Sequence, residues 1–398
     1  MEVNIFAKKT MGLLFIFKYD IMKMQFIKKQ ELLSMLISNI DPNLASLGVN
    51  EPDIFWTNAL DSPFSLHGVF YDKCRNLYAR VPEDVTTKVG KAITNLSKRC
   101  AGGRLRFITN SPYVAIKASI PATKPMPHMS ITASHGFSLY ANGRFECRYS
   151  PTFEDFINID YTNSASRIFF AESKRIFGHN GEEKICEIYF PLYCGVFDLF
   201  IGLKEGSTLK HAPDYKIKKP VVFYGSSITQ GACVSRPGND YLSILSRRIG
   251  FDYVNLGFSG SGNAEKEIID YMLSIDASVY AYDYNLYDSR PERVLPPHTA
   301  LYERIRNARP TSAVLLYDKP CYEYDTTSER RRNIIYETYK TAKSRGDDKI
   351  GFVEAMDMFG CTERDNCTVD TSHPNDLGAS RIADAMEPVL RKMLSEYI

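Results

Sequence analysis

The run at 221–231, VVFYGSSITQG, reads as a buried strand that delivers a serine to a sharp turn. Two β-branched valines followed by Phe223 and Tyr224 suit a strand covered on both faces, and Gly225-Ser226-Ser227 suits the turn that ends it. A serine at the carboxyl end of a parallel strand is held out of the sheet by rigid backbone, at the edge where open α/β sheets bind ligands. Ser227 is therefore the candidate reactive hydroxyl. Gly-Ser-Ser is also ordinary turn chemistry, so the assignment turns on what the other strand ends carry.

Downstream the pattern repeats. A helix over 240–248 has Asp240 as its N-cap and Gly250 as its stop. Strands at 253–256, 278–282, 313–317 and 350–355 precede helices at 264–273, 298–307, 328–343 and 376–394. A parallel crossover needs a helix to return the chain, so these alternations predict a parallel five-stranded sheet covered on both faces. The expected architecture is a flavodoxin-like three-layer α/β/α sandwich with strand order 2-1-3-4-5.

Each strand exit then carries chemistry. NLGFSGSG at 255–262 is a glycine-dense loop whose amides can approach an anion closely, Gly260 among them. It lacks the order of a dinucleotide fingerprint and the lysine of a P-loop. The third strand runs into Asp283-Tyr284-Asn285, where Asn285 can offer its amide hydrogens to the same anion. The last loop, DTSHPN at 370–375, places Asp370 three residues before His373. At that spacing the carboxylate can take the Nδ1 hydrogen of the ring and leave Nε2 to accept a proton from a serine.

The second half of the chain resembles the SGNH, or GDSL-type, hydrolases, a serine acyl-esterase family. GSSITQG matches the first block, NLGFSG the second and DTSHPN the last. The resemblance implies Ser227 as nucleophile, His373 and Asp370 as its partners, and an oxyanion hole formed by the Ser227 and Gly260 amides with the Asn285 side chain. Ser226 stands where the family often has an acid. Asp283-Tyr284-Asn285-Leu286 stands for the family's Gly-x-Asn-Asp, and a shift of two residues puts Tyr287 in place of Asn285.

Upstream, short runs rich in β-branched and aromatic residues at 64–70, 105–109, 113–119, 128–133, 137–140, 167–172, 184–190 and 197–201 predict a β-sandwich or jelly roll. Leu105, Phe107 and Thr109 alternate with Arg106 and Ile108, giving one core face and one wetter face. The expected organisation is a helical appendage at 1–50, a β-sandwich domain at 51–205, a polar linker at 206–219 and the hydrolase domain at 220–398. A helix is expected over 27–40. The apolar run at 11–17 is short and breaks at Lys18 without a cleavage site, so a cytoplasmic protein is expected, with secretion the alternative. Trp56 reads as packing, His128 and His135 as structural, and Arg75, Arg80, Lys98, Arg99 and Arg104 as a solvated face; Arg236, after the nucleophile, reads as a surface ion pair or a substrate contact.

The whole chain also resembles a two-domain branch of the family with an N-terminal β-domain, through YARVP at 78–82, SKRCAGGRLRFITNSP at 97–112, FPLYCGV at 190–196 and GACVSRPGNDY at 231–241. That branch's Gly-x-Asp-Leu-Tyr signature is here Gly136-Phe137-Ser138-Leu139-Tyr140. The branch includes carbohydrate acetylesterases, so the resemblance implies a short-chain esterase acting on a carbohydrate ester. A lipid acylhydrolase or thioesterase, or a silent glycan-binding protein, is the alternative.

Composition bounds the rest. The 398 residues, 44% hydrophobic, suffice for more than one core, and a net charge of +2 gives no nucleic-acid footprint. Nine cysteines without a close pair read as reduced thiols. Cys361 and Cys367 near His373 lack the spacing of a zinc site, and neither metal nor cofactor is expected. No stretch is long and apolar enough to span a bilayer.

Overall fold

The computed structural model describes residues 48–398 apart from 158, 164, 284–290, 322, 324, 325 and 398, with the backbone alone for 291–297 and 327. The helix expected over 27–40, the apolar run at 11–17, Asn285 and Tyr287 lie outside these residues.

The second half is a five-stranded parallel sheet. Its strands are β1 (Ile217–Gly225), β2 (Phe251–Gly257), β3 (Val279–Tyr282), β4 (Ala313–Tyr317) and β5 (Ile350–Val353), in the order β2-β1-β3-β4-β5. This is the expected 2-1-3-4-5. The connecting helices are α1 (Ser227–Gln230), α2 (Tyr241–Ile249), α3 (Lys266–Ser274), α4 (Pro291–Ala308), α5 (Thr326–Ser344) and α6 (Asp376–Met393). Side chains alternate across a strand, so β1 feeds two cores. Val221 and Phe223 pack with Leu245 of α2 and Ile382 and Met386 of α6, whereas Val222 and Tyr224 pack with Ile269 of α3 and Ile305 of α4. A run that is apolar at every position is what two covered faces require. Asp240 caps α2 by accepting the Ser243 N–H at 3.0 Å, and Gly250 ends it at φ +89°.

The first half forms two large antiparallel sheets and a two-stranded one, Phe70–Asp72 with Leu77–Ala79. One large sheet has the order Ile54–Asn58, Asp198–Lys204, Tyr113–Pro121, Arg167–Arg175. The other has the order Leu209–Lys210, Arg104–Thr109, Lys184–Tyr189, Phe137–Ala141, Arg144–Tyr149, with Ser65–His67 also paired to Arg104–Thr109. Leu105, Phe107, Phe137 and Ile188 from one sheet meet Val114, Ile116, Leu199 and Ile201 from the other in a single core. Leu209–Lys210, within the stretch expected to be linker, is thus a strand of this sandwich.

Three local readings change. The stretch 128–133 is not a strand: Ser130 accepts the Ala133 N–H and starts a short helix, Ile131–His135. A capping serine outweighs the β-branched pair Ile131-Thr132 there. Arg80 and Arg104 are not on a solvated face, being 1% and 0% exposed. The sheet face carrying Arg104 and Arg106 is dry because Pro213 and Tyr215 cover Arg106, and Asp252 and Tyr253 of the α/β half cover Arg104. Arg104 donates to the Asp252 carboxylate and, at 3.0 Å, to both the Tyr253 carbonyl and the Tyr215 hydroxyl.

Candidate active site

The strand-to-turn geometry places Ser227. Gly225 leaves no room for a side chain, since a Cβ there would lie 2.5 Å from Thr229 Oγ1. Ser226 is extended, and Ser227 opens the single turn of α1, where its own N–H has no intrahelical partner. The side chain is almost buried, at 3% exposure.

The loop before α6 brings the second group. Thr368 bridges to Pro374, the Val369 N–H donates to the His373 carbonyl at 3.0 Å, and Thr371 sits at φ +65°. This tight hairpin is locked at its end by Asn375, whose side chain accepts from the Gly378 N–H at 3.1 Å and donates to the Asn366 carbonyl at 2.7 Å. Asp370 Oδ1 accepts the backbone N–H of His373 at 2.8 Å, and Oδ2 accepts the ring Nδ1–H at 2.7 Å. His373 Nε2 is then free to accept from the Ser227 hydroxyl, at 2.8 Å. Partial burial pushes the Asp370 carboxyl up, but the backbone and ring N–H groups of His373 outweigh it and hold the carboxyl below its usual range.

Gly260 follows β2 at φ +64° and is exposed. Its loop is pinned to the Ser227 turn. The Phe258 N–H donates to the Gly225 carbonyl at 2.8 Å, and the Ser259 N–H donates to Gln230 Oε1 at 3.0 Å. Gly257 must be glycine, because a Cβ would fall 2.3 Å from the Gln230 backbone nitrogen. Among the described residues nothing accepts from the Gly260 N–H.

The sandwich half brings to the site His128, which the sequence reads as structural, and Tyr193, to which the sequence assigns no role. The ring of His128 lies 6.0 Å from that of His373, tilted by 33°. Tyr193, inside FPLYCGV, donates its hydroxyl to the Ser227 carbonyl at 3.3 Å, and Gln230 donates to the Leu192 carbonyl at 3.0 Å. The motif carried that signal for Tyr193; nothing in the pattern around His128 did. Arg236 stacks on Phe145 of the sandwich at 3.9 Å, and Tyr140 donates to Asn239 at 3.3 Å. Beneath the turn, burial followed by the nearby Asp318 pushes Asp283 well above the usual carboxylate range.

The arrangement lines up a serine hydroxyl, a histidine and a carboxylate in one hydrogen-bonded row beside a free amide, a geometry that can pass a proton from the serine to the ring. Comparison with known proteins agrees with that chemistry. Residues 218–391 match the GDSL-like lipase/acylhydrolase family model, and residues 54–209 match the model of the N-terminus of SGNH-hydrolase-type esterases. A Bacteroides ovatus structure described as a GDSL-like lipase is similar with 25% identity over 86% of this chain and 98% of its own, at a TM-score of 0.72. The salicylyl-acyltransferase SsfX3 of a tetracycline biosynthetic pathway has 16% identity, coverage of 87% and 98%, and a TM-score of 0.66. A family two carbohydrate esterase from Clostridium thermocellum, in complex with cellohexaose, has 12% identity, coverage of 84% and 100%, and a TM-score of 0.55. The last two share the fold. No curated protein matches the chain.

Proposed function

We propose, from the premise that the chain belongs to the SGNH or GDSL-like esterases and acylhydrolases, that it removes short acyl groups, acetyl foremost, from a carbohydrate ester through an acyl-enzyme on Ser227. The observation that carries this reading is the 2.8 Å bond from the Ser227 hydroxyl to His373 Nε2, with Asp370 at 2.7 Å behind the ring.

His373 takes the hydroxyl proton as Ser227 Oγ attacks the ester carbonyl, and Asp370 stabilises the imidazolium that forms. The Ser227 and Gly260 amides hold the tetrahedral oxyanion, with Asn285 as the side-chain donor that the family pattern implies. When the intermediate collapses, His373 returns the proton to the departing alcohol oxygen. Water, deprotonated by the same ring, then attacks the acyl carbonyl, and the carboxylic acid leaves as Ser227 regains its proton. The relay needs no metal or cofactor, and its completeness counts against a silent binding protein.

A carbohydrate alcohol is supported by the two-domain likeness to the family two carbohydrate esterase, a fold-level analogy. The lipase in the name of the matched family favours a second reading, a lipid acylhydrolase. Hydrolysis of p-nitrophenyl acetate, butyrate and octanoate separates them. Acetate preference, followed by acetate release from acetylated oligosaccharides, supports the first; octanoate preference transfers the reading to lipids.

A further inference from the structure

Arg80 leaves the sandwich half and ends inside the α/β half, fully buried. Four of its five N–H groups donate to backbone carbonyls: Nε to Arg99 at 2.8 Å, Nη2 to Leu96 at 2.8 Å, and Nη1 to Asn255 at 3.0 Å and Gly257 at 2.7 Å. No carboxylate pairs with it among the described residues. The ring of Phe258 lies beneath it at 4.9 Å. Burial lowers its pKa to about 10, which leaves it cationic at neutral pH.

A cation buried without a counter-ion is costly, and a structural arginine would ordinarily be paired. The four carbonyl dipoles replace the carboxylate, and two of them belong to the last residues of β2, from which the loop carrying Gly260 departs. The peptide joining Gly257 to Phe258 is gripped from both sides. Its carbonyl takes the Arg80 bond, and its N–H donates to Gly225, two residues before Ser227, at 2.8 Å. That one peptide plane fixes the loop's height above the serine.

We propose that Arg80 is a positioning residue for the oxyanion site: through the Asn255 and Gly257 carbonyls it sets where the Gly260 amide points relative to the carbon that Ser227 attacks. The proposal rests on the reading of Gly260 as an oxyanion donor. It makes the first half of the chain part of the reaction apparatus. Lysine cannot replace arginine here, because one ammonium cannot reach acceptors on both sides of a planar fork.

The test uses the full chain with p-nitrophenyl acetate and a boronic acid, which forms a tetrahedral anionic adduct on an active serine. Arg80→Lys and Arg80→Gln lower kcat by ~10- to 100-fold, at or below the effect of losing one oxyanion donor. KM stays within about threefold, boronate inhibition weakens in parallel with kcat, and millimolar methylguanidinium partly restores Arg80→Gln. Should these variants fail to fold, Tyr271→Phe removes only the hydroxyl that donates to the Arg80 carbonyl at 3.1 Å. It lowers kcat by a few-fold at constant KM. Folded variants with wild-type kcat, or with a loss confined to KM, overturn the positioning role alone. A wild-type chain that neither turns over the ester nor binds the boronate overturns the esterase reading beneath it.

Discussion

Arg104, from the sandwich half, lies with its guanidinium 3.7 Å from the ring centroid of Tyr253, on the second strand of the parallel sheet. The same guanidinium bonds Asp252, whose other oxygen meets His67 at 3.0 Å. The two halves therefore share one buried polar network. Removing one partner of a buried pair strands the other. Arg104→Ala is predicted to destabilise the chain by about 3 to 5 kcal/mol, read as a lower urea midpoint for both halves together. A separate, earlier transition of one half would contradict a shared network.

Asp370 fixes which nitrogen of His373 carries the proton. Asp370→Asn is expected to lower kcat by ~10,000-fold with the fold intact, because the amide favours the wrong tautomer. Circular dichroism checks the fold and ester hydrolysis the rate. A loss of only a few-fold would show that the loop backbone alone orients the ring.

His128 stands beside His373 at the rim of the site, outside the hydrogen-bonded row of Ser227, His373 and Asp370. His128→Ala is predicted to reduce kcat/KM for an acetylated oligosaccharide by about tenfold and for p-nitrophenyl acetate by less than about twofold, the size of one lost contact to a bulky alcohol. Equal losses on both substrates would place His128 in the chemistry instead.

Stability should fall on mild acidification. His135 is enclosed, with Nε2 at 3.0 Å from the Thr123 carbonyl, and burial lowers its pKa to about 4. Its value in the unfolded chain is about 6.5. Between those values the unfolded chain binds the proton and the folded chain does not. The stability that the neutral ring supports is therefore present above ~6.5 and lost as pH falls towards ~4. Melting temperature is expected to drop from pH 7 to pH 5, and His135→Gln to shallow that drop. Parallel profiles for the two proteins would contradict the assignment.

The parallel sheet was legible because a strand covered on both faces is apolar at every position, as in 221–224, and each such run is followed by a helix of the right length. Asp370 and His373 were legible because their contact is local, set by three residues of one hairpin. Contacts between distant segments were not. An arginine on a strand, as Arg104 is, or in the bend after one, as Arg80 is, reads as solvent-facing until the element that covers it is known, and both are buried. His128 reached the site through a loop whose path no periodicity records. In 128–133 the β-branched pair Ile131-Thr132 reads as strand, whereas the cap at Ser130 starts a helix, a signal local to one side chain. Asn285, in the third block, lies outside the described residues.

Turnover is expected to pass through an acylated Ser227. The most direct measurement is mass spectrometry of the protein after reaction with a p-nitrophenyl phosphonate, with the labelled peptide sequenced. One adduct per chain on the peptide containing Ser227, absent from Ser227→Ala and strongly reduced in His373→Ala, is the predicted result. Labelling of another residue, or undiminished labelling of Ser227→Ala, would contradict the account.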